Sequence, residues 1–226
     1  YRVLKYPYGY LALRPTLEFA RDFRVTVDFH VYTLSYEAFG LTTRVDTDMR
    51  RRPPSQAADR KARMYYTTAR EYAVLQSLPL RSPYRLLDSA LAHRAFYFAK
   101  KQNLEVPFAM WVYLQGWSTG WREFELESSD ILCRACAEVG VDTSSFDDYV
   151  ADDGPGLVAV QASMSAAEES GFVGIPHYVL KDPVTERTTG LFGREHLALI
   201  RSKFLKAGLA RHSDVRAEFS HAWTRA

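Results

Sequence analysis

The sequence lacks the features that mark several large classes of protein. Only two cysteines occur among 226 residues, which excludes a fold held by a disulfide framework and is typical of a reducing compartment. No apolar run approaches the roughly 18 residues that a membrane span requires. We therefore expect a protein without a transmembrane segment, located in the cytoplasm or the mitochondrial matrix.

The sequence also has no large excess of charge of one sign and no cluster of metal ligands. The 29 basic and 27 acidic side chains leave a net charge of +2, so no general attraction to nucleic acid is expected. The densest basic run, residues 50–52, is interpreted as a solvated surface. The six histidines are scattered, and no metal site is expected. By contrast, 47% of the residues are hydrophobic, enough to build a core without metals or disulfides.

The periodicity of the apolar residues predicts a β-α-β unit, then a long helical stretch, then a β-β-α unit. Tyr1 falls within a predicted strand, so we expect residues upstream of it to have been removed or left out. Pro15 predicts a kink in the first helix. The predicted strands are 1–4, 25–31, 177–180 and 186–191, and the predicted helices are 11–23, 59–76, 85–103, 107–119, 129–139, 143–150, 156–170 and one starting near Gly193.

This order predicts one domain that is built from both ends of the chain. Residues 1–50 and 171–208 would share a sheet, which requires the two ends to meet and the intervening helices to form a separate lobe. Residues 51–170 would be the inserted helical domain, with its last helix bridging back to the sheet. Residues 209–226 are polar and weakly patterned, and are predicted to be a C-terminal tail.

Three segments carry a resemblance to a known family. They are residues 6–12 (YPYGYLA), residues 51–54 (RRPP) with Tyr65 downstream, and the pair 171–176 (GFVGIP) and 190–197 (GLFGREHL). In this order they resemble 2-hydroxychromene-2-carboxylate isomerases and kappa-class glutathione transferases, which are DsbA-like proteins. The resemblance covers roughly residues 1–207. It implies an α/β thioredoxin fold with an inserted all-helical domain.

The resemblance also implies a ligand and the residues that would hold it. Glutathione would be the co-substrate, with its backbone paired along a cis Ile175–Pro176 loop. Arg194 and Glu195 would open the last helix, where free N–H groups favour a carboxylate, and Glu195 would receive the glutamyl amino group. Arg51 stands where the family has Asn, and it would either grip a carboxylate or clash with the ligand.

Tyr6 is the main departure from the family pattern, because the family has Ser, or in DsbA Cys, at this position. Without a sulfur atom, thiol–disulfide exchange is excluded at this turn. A tyrosine hydroxyl can still donate to a thiolate, and on this interpretation Tyr6 is the catalytic residue. Its oxygen, however, lies about 6.5 Å from Cα, compared with about 2.4 Å for serine.

Two functions therefore remain open. The first is a glutathione-binding transferase or isomerase that acts on an aromatic or electrophilic small molecule. The second is a catalytically inactive relative that serves as a binding or scaffold subunit of a larger assembly. The expected partners are a small-molecule substrate and either a second copy of the chain or a protein complex.

Two further motifs lie in the predicted helical region. Cys133 and Cys136 form a C-x-x-C pair inside a helical pattern, whereas a redox pair requires a turn that lowers the thiol pKa. They are interpreted as packing groups. Trp117 and Trp121 would share a helical face if the helix continues past Gly116, and would either pack the lobe interface or line an apolar pocket.

Overall fold

The computed structural model describes residues 1–35, 55–182 and 185–218. The elements in chain order are α1 (Pro7–Asp22), α2 (Gln56–Leu75), α3 (Ala90–Lys100), α4 (Glu105–Thr119), α5 (Ser129–Glu138), α6 (Phe146–Val150), α7 (Pro155–Glu169), β1 (His177–Lys181), β2 (Thr188–Phe192) and α8 (Leu197–Lys206). A 3-10 turn, Arg194–His196, precedes α8.

The sheet is smaller than the sequence pattern predicts. β1 and β2 pair in antiparallel register, from His177 opposite Phe192 to Lys181 opposite Thr188. The predicted strands 1–4 and 25–31 are wrong as regular strands, because they meet in one parallel bridge between Arg2 and Val31. Backbone hydrogen bonds nevertheless place Arg2 beside residues 30–32 and Tyr1 beside His177. The two ends of the chain thus meet along the first residues.

Helix α1 continues through Pro15 without interruption. A proline at this position removes the N–H that would bond the carbonyl four residues earlier. That carbonyl belongs to Leu11, and the side-chain amide of Gln76 donates to it at 3.1 Å. A side chain from the end of α2 therefore supplies the hydrogen bond that the proline cannot make.

The helices α4–α7 pack around α3, whereas α2 packs against α1. Their apolar side chains form one continuous cluster with Leu4, Leu11 and Val31 from the β-α-β unit. A second, smaller cluster of Phe19, Leu197 and Ile200 lies between α1 and α8. The main core is therefore shared between the two parts of the chain.

Trp117 and Trp121 are fully buried in this core, but they do not share a helix. α4 ends at Thr119, and Gly120 takes a left-handed conformation (φ 65°) as its C-cap, a common way for a helix to stop. Trp121 then folds back, and its ring lies 2.4 Å from where a Cβ on Gly116 would be. Glycine is required there because of this close approach.

The C-terminal part differs from the prediction in two places. The last helix does not start at Gly193, because the 3-10 turn intervenes and α8 begins only at Leu197. The segment after α8 runs back along the end of α1. There the Arg24 N–H donates to the Leu209 carbonyl, and the Arg211 N–H donates to the Asp22 carbonyl. Residues 209–218 thus pack against the body of the protein.

The architecture is the α/β thioredoxin fold of the DsbA type, with helices inserted between its two halves, as the resemblance implies. A first half, in which extended segments flank α1, meets a β-β-α half beside α1, and α2–α7 lie between the two halves in sequence. Within the part of the chain that the structure describes, no helix is both long and apolar enough to cross a bilayer.

Candidate functional site

The turn that leads into α1 is held by side chains from the inserted helices. The Leu4 N–H donates to Nε2 of His93 at 3.1 Å, and Nδ1 of His93 lies 2.7 Å from the Thr33 hydroxyl. Because Nε2 accepts a hydrogen bond, the proton of this neutral ring is on Nδ1. The Tyr113 hydroxyl donates to the Val3 carbonyl at 3.0 Å. The end of the first extended segment is thereby fixed from α3 and α4.

Gly9 allows this arrangement. A Cβ at Gly9 would lie 3.0 Å from the Tyr113 hydroxyl and 3.5 Å from Cγ2 of Ile175. Any larger side chain here, such as Ser, would require Tyr113 to shift. The same distances show that the loop before Pro176 packs directly on the first turn of α1.

Tyr6 is the N-cap residue of α1, and Pro7 follows it at the first helical position, where a proline costs nothing because its missing N–H would have no intrahelical partner. No side chain caps the helix, because a phenol cannot fold back onto the first turn as a serine hydroxyl can. The positive end of the helix dipole is therefore uncapped beside Tyr6.

A cluster of tyrosines covers this helix end. The Tyr65 ring of α2 lies 5.5 Å from the Tyr6 ring and 4.7 Å from the Tyr8 ring, measured between centroids. The Tyr8 hydroxyl donates to the Tyr65 carbonyl at 3.4 Å. Burial, and then the neighbouring Tyr6 phenol, raise the pKa of Tyr65. Tyr65 therefore remains a neutral hydroxyl throughout the physiological pH range.

The Ile175–Pro176 peptide bond is cis. Both residues are buried, and Ile175 is only 3% exposed. The Pro176 carbonyl accepts the Gly193 N–H at 2.9 Å, which ties this loop to the 3-10 turn. The structure therefore brings Ile175, Pro176 and the turn before α8 to the same place as the start of α1.

Arg194 and Glu195 differ in their surroundings. Arg194 is 4% exposed, and its guanidinium carbon lies 4.2 Å above the centre of the Tyr72 ring. Burial lowers the pKa of Arg194, while Tyr72, Tyr178 and Tyr8 nearby act in the opposite direction. Glu195 is exposed, and its carboxylate lies over Gly193. Arg194 thus belongs to the tyrosine cluster, whereas Glu195 is at its surface.

Arg51, the remaining site residue expected from the sequence, lies outside the described residues. The ammonium group of Lys5, which precedes Tyr6, donates to the Leu87 carbonyl, and burial lowers the pKa of Lys5 to about 8. The Lys5 ammonium group is therefore directed to the segment before α3.

The C-x-x-C pair lies inside α5, as expected. Both thiols are free, and burial together with the neighbouring Cys133 raises the pKa of Cys136 to about 12. A thiol with so high a pKa is unreactive at neutral pH. The packing interpretation of this pair is therefore confirmed.

A cleft of about 1000 Å³ lies beside α1, between residues 24–30, β1 and α8, and Gly9 and Pro176 are among the residues that line it. Arg2 lines this cleft and is 5% exposed. Within residues 1–35, 55–182 and 185–218, its guanidinium makes no ion pair, and it stacks on Phe29 with its central carbon 4.1 Å from the ring centre. Tyr6 and Arg194 do not line this cleft.

The sequence analysis missed Tyr8, Tyr72 and His93 as parts of the site. Tyr65 and Tyr72 are seven residues apart, a spacing that places both on one face of a helix. This spacing could have identified Tyr72 as a neighbour of the site. No comparable signal existed for His93, because a lone histidine in a helical pattern does not reveal which backbone group it will bond.

The comparisons with known proteins agree with this geometry. The chain is similar in structure to a 2-hydroxychromene-2-carboxylate isomerase (TM-score 0.68, 17% identity, covering 92% of this chain and 93% of that chain). It is also similar to a probable DsbA oxidoreductase from Streptomyces coelicolor (TM-score 0.67, 16% identity, 95% and 92%). A third similar structure is the cytosolic disulfide reductase DsbM from Pseudomonas aeruginosa with GSH (TM-score 0.59, 17% identity, 92% and 96%).

At such identities these likenesses show the fold alone. No match was found among curated protein sequences. The family model described as a DSBA-like thioredoxin domain matches residues 7–204, which include every helix from α1 to α7, both strands and most of α8. The chain therefore belongs to the DSBA-like thioredoxin domain family.

Proposed function

We propose that this protein binds glutathione at the start of α1 and uses its thiol as a glutathione-dependent transferase or isomerase. The observation that carries the proposal is the meeting of four features at one place: the uncapped helix end, the Tyr6 phenol, the cis Ile175–Pro176 loop and the buried Arg194. A similar structure, DsbM, was determined with GSH, and this supports the choice of ligand.

Each feature has a role in this proposal. The uncapped N-terminus of α1 and the Tyr6 hydroxyl would stabilise a thiolate, because a hydrogen bond to the charged form lowers the thiol pKa. Arg194 would supply a positive charge close to the anionic ligand, behind Tyr8 and Tyr72. The gain in rate would come from holding the thiolate next to an electrophilic carbon.

The substrate class follows from the surroundings of Tyr6. Aromatic rings from α1 and α2 border the turn, and such rings pack well against a planar conjugated molecule. In a transfer reaction, the thiolate would form a C–S bond with an electron-poor carbon of that molecule while a leaving group departs with its electron pair, as chloride does from chlorodinitrobenzene. At a conjugated double bond, the π bond would open instead and the neighbouring carbon would take up a proton. In an isomerisation, the C–S bond would break again after rotation, and the thiol would be regenerated.

Ligand-dependent stabilisation tests the binding step. Reduced glutathione at millimolar concentration should raise the melting temperature, since a ligand that binds only the folded state stabilises it by about 2.7 kcal/mol at one hundred times its Kd. S-methylglutathione serves as the control without a thiol. If neither compound shifts the melting temperature at about 10 mM, the binding proposal is wrong.

Removal of the Tyr6 hydroxyl tests the chemical step. Tyr6→Phe keeps the ring and deletes only the donor, so conjugation of glutathione to chlorodinitrobenzene should slow by about 10- to 100-fold at neutral pH. Glutathione binding should change little. An unchanged rate in Tyr6→Phe would show that the hydroxyl takes no part.

The second candidate is a catalytically inactive member that retains the fold as a binding subunit. The observation that favours it is the burial of Ile175, since the backbone of this residue is the one expected to pair with glutathione. Tyr6→Ser distinguishes the two candidates. Conjugation that occurs only in Tyr6→Ser would support the inactive member, whereas conjugation in the natural sequence would exclude it.

A further inference from the structure

The first two residues lie between two extended segments of the chain and bond to both of them. The Arg2 N–H donates to the His30 carbonyl, and the Arg2 carbonyl accepts the Tyr32 N–H, both at 2.9 Å. On the other side, the Tyr1 amino group donates to the His177 carbonyl at 2.6 Å, and the His177 N–H donates to the Tyr1 carbonyl. Pairing on both sides is typical of a central strand in a sheet.

The cleft of about 1000 Å³ continues this central position, because it runs from Tyr1 between residues 24–30 and β1. Among the residues that the structure describes, the N–H groups of 25–30 donate to no backbone carbonyl. In β1, the backbone of Val179 lies on the same edge as that of His177, since successive residues of a strand bond to opposite sides. Two backbone edges that can each pair with a strand therefore face the cleft.

The pairing at Tyr1 sets the register of a strand in this cleft. Because the partners in an antiparallel pair advance in opposite directions, the second residue before Tyr1 would lie opposite Val179 and the fourth opposite Lys181. Four residues span about 13 Å at about 3.3 Å each. A strand that follows β1 to its last residue is therefore about four residues long.

The floor of the cleft favours an alternating apolar pattern in such a strand. Arg2 stacks on Phe29, and Val27, two residues earlier, packs against the apolar cluster between α1 and α8. Side chains two residues apart share one face of a strand. The first and third residues before Tyr1 would thus lie over this cluster and extend it.

The Tyr1 nitrogen already makes the bond of a strand N–H. Burial, and then the charge of Arg2, lower the pKa of the Tyr1 amino group to about 5. A peptide N–H at this position makes the same bond to His177 without burying an ionisable group. The surroundings of this nitrogen therefore suit a continuing chain.

We infer that the cleft is the position of a further stretch of β-strand, formed by the residues that precede Tyr1 in the full-length polypeptide. This stretch joins residues 24–30 and β1 into one sheet, with the first extended segment as its central strand. It accounts for the sequence pattern of 25–31, which is that of a strand. The inference concerns the sheet and not a bound thiol, so it stands or falls separately from the proposed function.

Hydrogen exchange at single amides tests the pairing. The full-length polypeptide, with its natural residues before Tyr1, is compared with the chain that starts at Tyr1. The amides of Asp28 and Val179 should exchange at least about 100-fold more slowly in the longer chain, since they gain partners in the sheet. The amides of Val27 and Phe29 face away from the cleft and serve as matched controls. If the shorter chain does not fold, slow Asp28 beside fast Val27 in the full-length polypeptide gives the same answer. Equal rates at Asp28 and Val27 there would overturn the inference.

A disulfide identifies the occupant of the cleft. Residues that exchange both hydrogen bonds in an antiparallel pair have Cα atoms about 5.5 Å apart, within the range of a disulfide. A cysteine placed two positions before Tyr1 should therefore join Val179→Cys within one chain under mild oxidation. Leu180→Cys, which points to the opposite face of β1, is the control and should not cross-link. A bond that forms only between two chains would assign the cleft to a strand of a second copy, and no bond at all would exclude a strand in this register. Either result overturns the inference.

Discussion

His93 shows at the residue scale how one buried side chain fixes the turn before α1. Its ring is fully buried and accepts the Leu4 N–H through Nε2. Burial, and then the nearby Lys5 charge, lower the pKa of His93 well below the usual 6.5. A protonated ring would lose the bond to Leu4, because both nitrogens would then be donors.

The stability of the protein should therefore depend on pH through His93. Below about pH 6.5 the unfolded chain takes up a proton that the folded chain excludes, so the free energy of unfolding falls by up to about 1.4 kcal/mol per pH unit. This contribution is complete above pH 6.5 and is lost as the pH decreases. Denaturant unfolding between pH 5 and 7 should show a smaller slope for His93→Gln than for the natural sequence. The exposed His212→Gln is the control, and equal slopes for all three proteins would contradict the prediction.

Arg2 presents the opposite case, a buried side chain that keeps its charge. Within the described residues it has no carboxylate partner, only the Phe29 ring, and burial lowers its pKa. Replacing a buried charge by an apolar group of similar length often stabilises a protein by about 1–4 kcal/mol. Arg2→Met should accordingly raise the melting temperature, while Arg134→Met on the exposed face of α5 should leave it nearly unchanged. A lower melting temperature for Arg2→Met would show that the charge is stabilised by more than this stacking contact.

At the scale of single elements, α1 is the clearest example of a helix that depends on its neighbour. Its apolar spacing predicts a helix, and Pro15 predicts a kink within it. The sequence could not reveal that Gln76, 65 residues away, donates to the carbonyl that Pro15 leaves without a partner. Such a bond depends on how α1 and α2 pack, which no local pattern contains.

A double-mutant cycle tests this dependence. Gln76→Met leaves the buried Leu11 carbonyl without a donor, and should destabilise the protein by about 1–3 kcal/mol. In a Pro15→Ala background the restored backbone N–H bonds Leu11, so the same change should cost at least about 1 kcal/mol less. Chemical denaturation of the natural protein, the two single variants and the double variant gives the coupling free energy between Gln76 and Pro15. Strictly additive costs would mean that Gln76 does not replace the missing hydrogen bond.

At the scale of the whole molecule, the main core joins the β-α-β unit to the inserted helices. The sequence analysis expects the helices to form a separate lobe, but side chains of α1 and of α2–α7 pack in a single cluster. The proximity of the two chain ends, by contrast, is predicted by the order of elements. The structure keeps it through the bonds between Tyr1 and His177, although the regular sheet of the described residues contains only β1 and β2.

A shared core predicts a single unfolding transition. Trp117 and Trp121 report on the inserted helices, and Phe204→Trp places a further probe beside Phe19 in the cluster between α1 and α8. The two fluorescence signals and far-UV circular dichroism should give the same denaturant midpoint. A separate transition for the Phe204→Trp probe would mean that the two parts of the protein unfold independently.

The sequence by itself determined the order of the elements, the thioredoxin fold with inserted helices, and the segments that meet at the start of α1. The order of the elements follows from the periodicity of apolar residues, whereas the fold and the segments that meet at the start of α1 were implied by the resemblance of three short motifs to a known family. Only the tertiary structure decided the surroundings of Tyr6. Tyr65 lies beside it, the Lys5 ammonium group contacts the Leu87 carbonyl, and Ile175 is buried. The physical reason is that side-chain contacts between distant segments depend on how several helices pack together. A local sequence pattern does not determine that packing.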